Sequence, residues 1–318
     1  MERQEPLRER PDSMRDRRSQ PRTITPLSVE AVHLEGALQF PLKQDALRTL
    51  VRSALDEDGA FNDLTTIATV VSDRRARATL VARDRGVVAG VALALEAFRL
   101  LDGKVSIRVD VEDGMSVEAG SPVLVLSGHA RSLLSAERVA LNFMQRLSGI
   151  ASLTRRYVDA VRGTKAQILD TRKTTPGWRP LEKYAVRAGG GRNHRMDLAS
   201  SVLIKDNHLN AVEGDVALAV RRARELAPPG TQIEVECDRL EQVLAAVEAR
   251  ADVIMLDNMP TTSMAECVRL VDRRALLEAS GGVNLNTVRA IAETGVDWIS
   301  VGALTHSAPA LDLALDFE

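Results

Sequence analysis

Apolar and polar positions change period several times along this chain, and each change predicts an element. "DALRTLVRSALDED", residues 45–58, spaces its leucines and valine as one face of an amphipathic helix. "RATLVARDRG" followed by "VVAG", residues 77–90, alternates as a strand pair. "VSIRVDVEDGMSVEAGSPVLVLSG", residues 105–128, predicts two more strands turned at Gly114 and at Gly120 to Pro122. A long helical pattern follows over residues 132–163, with Leu133, Val139, Leu141, Met144, Leu147, Ile150 and Leu153 on its apolar face and Arg138 and Arg146 on or beside it.

After Gly163 short β-rich runs alternate with helical stretches: "AQILD", "SVLIK", "QIEVE", "DVIMLD", "ALLEAS" and "VDWISVG". Such alternation predicts βα units on a parallel sheet, and six in succession favour a barrel over an open sheet. The polar residues fall at or just past the run ends: Asp170 to Lys173, Lys205 and Asp206, Glu236, Asp257 and Asn258, Glu278 to Ser280, and Gly302. In an α/β barrel those ends converge on one mouth, where the chemistry is done. The expected organisation is a disordered tail over residues 1–30, an α+β domain over 31–150 and an α/β barrel over 151–318, with a C-terminal helix packing back on the first domain.

Composition narrows the picture. At 318 residues and 45% hydrophobic content the chain can bury two cores. A formal net charge of −2 gives no global basic field, which argues against nucleic-acid binding. Two cysteines far apart, Cys237 and Cys267, suit a reducing compartment, and no apolar run predicts a signal peptide or membrane span, so the expected location is the cytoplasm. The first 26 residues mix seven arginines, five acids and four prolines, a composition that cannot bury enough apolar surface to order itself.

Positive charge is instead local. Residues 172–205 hold eight Lys or Arg against two acids, Glu182 and Asp197, which suits a small anion. On a barrel, Arg172, Lys173, Arg195 and Lys205 would ring one rim beside His194, with Glu236 and Asp257 opposite. Arginine forks match carboxylates or phosphates, and two carboxylates facing them can hold Mg²⁺ with a diphosphate or ribose hydroxyls. Simple neutralisation of the bases by these acids remains the competing explanation. "EASGGVN" and "SVGALTHSA" place glycines after consecutive late strands, where backbone N–H groups can approach a phosphate. The hairpin-like "DGMSVEAGSPVLVLSG" is similar to carrier domains, but no lysine stands at its tip to be modified.

"DLTT", "ERVALNFMQRLSGIAS", "DTRKTTPGWRPLEKYAVRAGGGRNHR", "VLIKDNH", "IEVE", "DNM", "EASGGV" and "VGALTHSAPALDLALD", in that order, resemble the quinolinate phosphoribosyltransferases from about residue 40 to the C-terminus. The resemblance implies an α/β fold: an irregular seven-stranded barrel behind an N-terminal α+β open-faced sandwich. It implies transfer of phosphoribose from phosphoribosyl pyrophosphate to quinolinate with loss of CO₂, in NAD biosynthesis, with Mg²⁺. It also implies a homodimer in which Arg138 reaches the partner's site. Arg138, Arg172, His194, Arg195 and Lys205 would then hold the quinolinate carboxylates, with Thr171 in the same substrate loop. Lys173 would assist at the pyrophosphate, and Glu236 and Asp257 would hold the ribose and its metal. Ser280, Gly281 and Gly282, with Val301, Gly302 and Ala303, would cradle the 5′-phosphate with help from His306.

Two residues depart from the family pattern, Trp178 and Asp197, the second expected to face a base such as Arg192. Two rivals stay open at this level. A nicotinate phosphoribosyltransferase would need fewer cations for a single carboxylate, and a non-catalytic anion sensor would not need Glu236 and Asp257.

Overall fold

The stripe predicted over residues 45–58 folds as helix α1 (Gln44–Glu57), burying Leu47, Val51 and Leu55. The structure, a computed structural model, describes residues 38–318, and the tail expected over residues 1–30 lies outside the described residues. After α1 come α2 (Leu64–Thr69), β1 (Arg75–Ala82), β2 (Gly86–Val87), α3 (Val91–Leu101), β3 (Ser106–Val109), β4 (Ser116–Val117) and β5 (Pro122–His129). Asp63, the acid of "DLTT", caps α2 by accepting the Thr66 amide at 3.0 Å.

The expected pairing of "RATLVARDRG" with "VVAG" is not what forms. Strand β1 pairs antiparallel with β5, and β2 pairs with β4 instead. Gly86 explains the split: a Cβ there would lie 2.6 Å from both Leu311 Cδ1 and Ser152 Oγ, so the chain presses against other segments at that point rather than turning into a hairpin. The other edge of β1 is covered by the last element, β12 (Leu313–Phe317), giving a sheet of order β12-β1-β5-β3. The C-terminus therefore returns to the first domain as a strand and not as the expected helix. A row of free backbone groups on β1 is satisfied by strand addition, which a helix cannot do.

Helix α4 (Ala130–Ala160) runs 31 residues and buries Leu133, Val139, Leu141, Met144, Leu147 and Ile150 as predicted. The boundary expected between residues 150 and 151 falls inside this single helix, and the change of rhythm after Gly163 follows its end. Beyond it the elements alternate: β6 (Gln167–Leu169), α5 (Arg179–Ala188), β7 (Val202–Ile204), α6 (Asp206–Asn210), α7 (Val216–Leu226), β8 (Ile233–Cys237), α8 (Leu240–Glu248), β9 (Val253–Asp257), α9 (Thr261–Val271), β10 (Leu276–Ser280), α10 (Val288–Glu293), β11 (Trp298–Ser300) and α11 (Ala303–His306). All six predicted barrel strands form one parallel sheet of order β6-β11-β10-β9-β8-β7. Residues such as Val235, Ile254 and Leu256 are fully buried, as befits strands covered on both faces.

The seventh stave, which has no β-rich run of its own, is a single residue. Arg192 bridges Leu169 in parallel, its amide donating to Ile168 O at 2.8 Å and its carbonyl accepting from the Asp170 amide at 3.1 Å. Three glycines precede it because the chain must pass close to α4 and α5: a Cβ on Gly189 would lie 2.4 Å from Ala151 O. The barrel is irregular because this stave makes only one bridge and β7 pairs with β8 alone.

Candidate active site

Side chains on a strand alternate, so Glu234 and Glu236 on β8 share a face, as do Glu278 and Ser280 on β10. Glu236, Asp257 and Ser280 stand at the C-terminal ends and form the rim. Glu234 and Glu278 lie one layer lower, about 7 Å down from two residues of strand rise.

At the rim, Lys205 follows β7 and forms an ion pair with Glu236, their side chains 45% and 14% exposed. Asp257 accepts from Asn258 Nδ2 at 2.8 Å. Asn258 takes a left-handed φ of 54°, and Gly281 beyond β10 has φ 89°; a Cβ on Gly281 would fall 2.2 Å from Asn258 Oδ1, so only glycine fits. Lys173 and His306 converge on Gly302: a Cβ there would be 3.2 Å from Lys173 Cδ and 3.1 Å from His306 Nε2. The Lys173 amide donates to Thr171 Oγ1 at 3.1 Å, and the Val301 amide donates to Leu169 O at 2.9 Å.

Arg172 and Arg195 sit near one another. The Arg195 guanidinium donates to Ser201 O at 3.0 Å; burial and then the charge of Arg172 disfavour its cation. Arg172 Nη1 is buried and finds no hydrogen-bond partner among the described residues. A buried guanidinium N–H without an acceptor, next to a second arginine, is a seat for an anion.

Arg138 is exposed on α4 and is not brought into these contacts. His194 is brought to the site, but its ring lies in the lower layer, 9% exposed, with Nε2 at 3.1 Å from Glu234 and 3.5 Å from Glu278. The expected place of that ring beside the rim cations is corrected accordingly: Lys183 Nζ, donating to His194 O at 2.9 Å, and Asp170, accepting the His194 amide at 2.9 Å, draw the residue inward. Burial disfavours a charged ring while Glu234 and Glu278 favour one and raise its pKa, but the second proton of a charged ring would have to sit on Nδ1 and face the Arg195 amide. The Arg195 amide points at Nδ1 from 2.8 Å, which opposes a proton there, so the firmly held proton is the one on Nε2.

His194, Glu234 and Glu278 place ligand atoms within 4.8 Å of one another, the geometry of a metal cluster. The Nδ1 contact argues against an ion. A metal-bound ring normally donates its other N–H, whereas here that nitrogen accepts and the proton occupies the place an ion would take.

Of this lower layer the sequence marked Asp170, His194 and Glu278 but expected them at the mouth, where the structure buries Asp170 and Glu278 completely one layer down; it missed Glu234 and the role of Lys183. Asp170 and Lys183 form an ion pair with side chains 0% and 1% exposed, and Asn193 Nδ2 adds a bond to Asp170 at 2.5 Å. The i−2 spacing from Glu236 and Ser280 is the signal that points to Glu234 and Glu278; nothing in the sequence marks Lys183, in the middle of α5. The two departures both serve local structure. Trp178 stacks on Phe143 of α4 at 5.3 Å between ring centroids, and Asp197 accepts the Ala199 and Ser200 amides at 2.9 Å each, organising its own loop, with Arg179 as a neighbouring base that favours its charge.

Family models for the quinolinate phosphoribosyl transferase N-terminal domain and C-terminal domain match residues 63–148 and 150–316. A nicotinate-nucleotide pyrophosphorylase [carboxylating] of Mycobacterium leprae is 48% identical over 278 residues, covering 86% of this chain and 97% of the relative. The chloroplastic enzyme of the same name from Arabidopsis thaliana is 40% identical over 322 residues, covering 94% of this chain and 92% of that one. Among solved structures, the nicotinate-nucleotide pyrophosphorylase from Francisella tularensis superposes with a TM-score of 0.82 at 39% identity, covering 88% of this chain and 99% of that one. The chain belongs to the quinolinate phosphoribosyltransferase family.

Proposed function

We propose that the barrel mouth carries out the family's reaction with its dicarboxylate side on Arg172, Arg195 and Lys205 and its phosphoribosyl side on Lys173, Glu236, Asp257 and the two glycine loops. The reaction joins quinolinate to phosphoribosyl pyrophosphate and yields nicotinate mononucleotide, pyrophosphate and CO₂, a step of NAD biosynthesis. The observation that carries the division is the buried, acceptorless Arg172 Nη1 beside Arg195. A quinolinate carboxylate satisfies it, whereas no group of the described chain does.

Departure of pyrophosphate leaves positive charge on the ribosyl carbon, and Glu236 and Asp257 lie on neighbouring strand ends where that charge would develop. Lys173 and His306, meeting at Gly302, would receive phosphate oxygens. Attack by the pyridine nitrogen makes that nitrogen cationic and draws electrons from the adjacent carboxylate bond, so CO₂ leaves and the ring carbon takes a proton. His194 would act from beneath, held by Glu234 and Glu278, and Thr171 through its bond to the Lys173 amide. Ser280 to Gly282 and Val301 to Ala303 complete the phosphate side.

Glu236 and Asp257 present hard carboxylate oxygens at the rim, a donor set that fits Mg²⁺ held jointly with diphosphate oxygens and water. The ion would neutralise diphosphate charge. Lys205 must leave Glu236 for both residues to act, and an ion pair this exposed is held weakly enough to do so.

The proposed site takes Arg138 from the partner of a homodimer, where it would serve that site's quinolinate, and its exposure on α4 is compatible with this role. The buried, unpaired Cys237 and Cys267 are consistent with a cytoplasmic setting, and no helix among the described residues is long and apolar enough to cross a membrane.

The direct experiment measures CO₂ and pyrophosphate from quinolinate and phosphoribosyl pyrophosphate with and without Mg²⁺; one of each per turnover is expected. Arg138→Ala and Lys173→Ala should each be inactive, and after subunit exchange the 1:1 mixture should recover about a quarter of native activity, since half the dimers then hold one intact site. Verified heterodimers without activity would rule out the shared site.

A further inference from the structure

Arg146 takes no part in the reaction as divided above, yet its guanidinium fastens three segments. Nε and Nη2 donate to Glu182 Oε1 on α5 at 3.2 and 2.7 Å. Nη1 donates to Ala308 O at 3.3 Å, and Nη2 also donates to Thr305 O. Glu182 is fully buried and passes the contact on: its Oε2 accepts the Thr175 amide at 3.1 Å and its Oε1 the Thr175 hydroxyl at 2.9 Å. Thr305 closes the circuit by donating its hydroxyl to Lys173 O at 2.7 Å.

These bonds hold the backbone of two loops against α4, the one after β6 that carries Lys173 and the one after β11 that carries Gly302 and His306. The loops touch where Lys173 Cδ and His306 Nε2 flank Gly302. A shift in either loop changes the gap that the phosphate groups are to occupy. On the dicarboxylate side Arg195 is held separately, by Ser201 O, while Arg172 shares the Lys173 loop, its carbonyl accepting the Thr174 amide at 2.9 Å.

We infer that Arg146, held by Glu182, is a positioning residue for the phosphate side of the site: it sets the spacing of the Lys173 and Gly302–His306 loops and through it the affinity for the sugar diphosphate and for pyrophosphate. The inference rests on the assignment of Lys173 and His306 to phosphate made above. Only a planar fork with several donors can serve acceptors on three residues of two segments at once, so lysine is not an equivalent.

Arg146→Lys keeps a positive charge beside Glu182 and loses the fork. The expected result is a rise on the order of tenfold in both the KM for phosphoribosyl pyrophosphate and the Ki for pyrophosphate, the loss of a charged hydrogen bond. The Kd for quinolinate alone, by calorimetry, should rise clearly less than these two constants, because Arg195 and Lys205 lie outside the two loops that Arg146 holds, although Arg172 shares the Lys173 loop. Arg146→Gln with Glu182→Gln removes both charges together and should give the same split if the lysine variant folds poorly. Unchanged KM and Ki in a folded variant, or an equal shift of all three constants, would overturn the inference. Lys173→Ala is the control. Because it turns over no substrate it is read by binding: if calorimetry gives unchanged Kd values for phosphoribosyl pyrophosphate and pyrophosphate, the phosphate assignment fails and the inference with it; if both Kd values rise while the constants of Arg146→Lys do not, only the role of Arg146 falls.

Discussion

Glu236 and Glu234 sit two residues apart on β8 and point the same way, yet they keep different company. Glu236 holds Lys205, whose side chain is 45% exposed, whereas Glu234 holds His194, whose side chain is 9% exposed. The same contrast runs around the barrel, with Lys173 and Asp257 open at the rim and Asp170, Lys183 and Glu278 fully buried one layer down. In water an ion pair is easily exchanged for another partner, while a charge out of water is bound to whichever groups satisfy it. The rim can therefore give its charges to ligands, and the layer below spends its charges on holding segments in place.

The largest effect should come from breaking the lower layer. Removing one member of a buried ion pair costs about 3–5 kcal/mol because it leaves the other charge unpaired. Lys183→Met should lower the free energy of unfolding by that order, since it strips Asp170 of its cation and His194 O of a donor. Lys173→Ala, on the rim, should leave stability within about 0.5 kcal/mol while abolishing turnover. Urea unfolding of both variants beside a turnover assay tests the contrast, and equal midpoints would erase it.

Much of the rim was legible from the sequence; of the lower layer Asp170, His194 and Glu278 were marked, but not their depth or their partners, for a physical reason. Glu236, Asp257, Ser280 and Gly302 end apolar runs, so the switch from apolar to polar marks both the strand end and the barrel mouth. Asp170 and Lys183 meet only because α5 folds back over β6, and 13 residues separate them with no period linking the two. The six barrel strands were readable as β-rich runs, but the seventh stave contributes one bridging residue, too little for any pattern to carry. β12 escaped for another reason: "LALDF" is equally apolar as helix or strand, and the free edge of β1 decides between them.

Within the rim, the division into two sides predicts separable kinetics. Glu236→Gln and Asp257→Asn preserve shape and remove charge that acts most strongly in the transition state, so kcat should fall about 10²- to 10³-fold with a smaller change in KM for quinolinate. Arg195→Lys keeps charge and loses the fork, and should weaken quinolinate binding by roughly 1.5–3 kcal/mol. Steady-state kinetics with quinolinate titration calorimetry read both. If the acid variants keep kcat and Arg195→Lys keeps its affinity, the mouth has no such sides.

The smallest effect is in pH, where the two tiers should respond with opposite sign. In the exposed loop above the rim that follows Arg195, the Ala199 and Ser200 amides hold Asp197 below its ordinary value of 3.8, so its contribution to stability is present above that pH and is lost as pH falls. One layer down, burial pushes Glu234 above its ordinary value of 4.5 and the charge of Glu278 adds to it, against the pull of His194. There the unfolded chain loses its proton first, so this contribution is full below 4.5 and declines as pH rises toward the folded value, with a slope of at most about 1.4 kcal/mol per pH unit for one proton. Glu234→Gln keeps an oxygen for the His194 Nε2 proton and removes the titration, so it should flatten the decline in unfolding free energy on the alkaline side of 4.5. Asp197→Asn should flatten only the loss on the acid side. Superimposable curves for the native protein and Glu234→Gln above that pH would mean that the lower layer carries its charge as freely as the rim, and the distinction between the tiers would have to rest on stability alone.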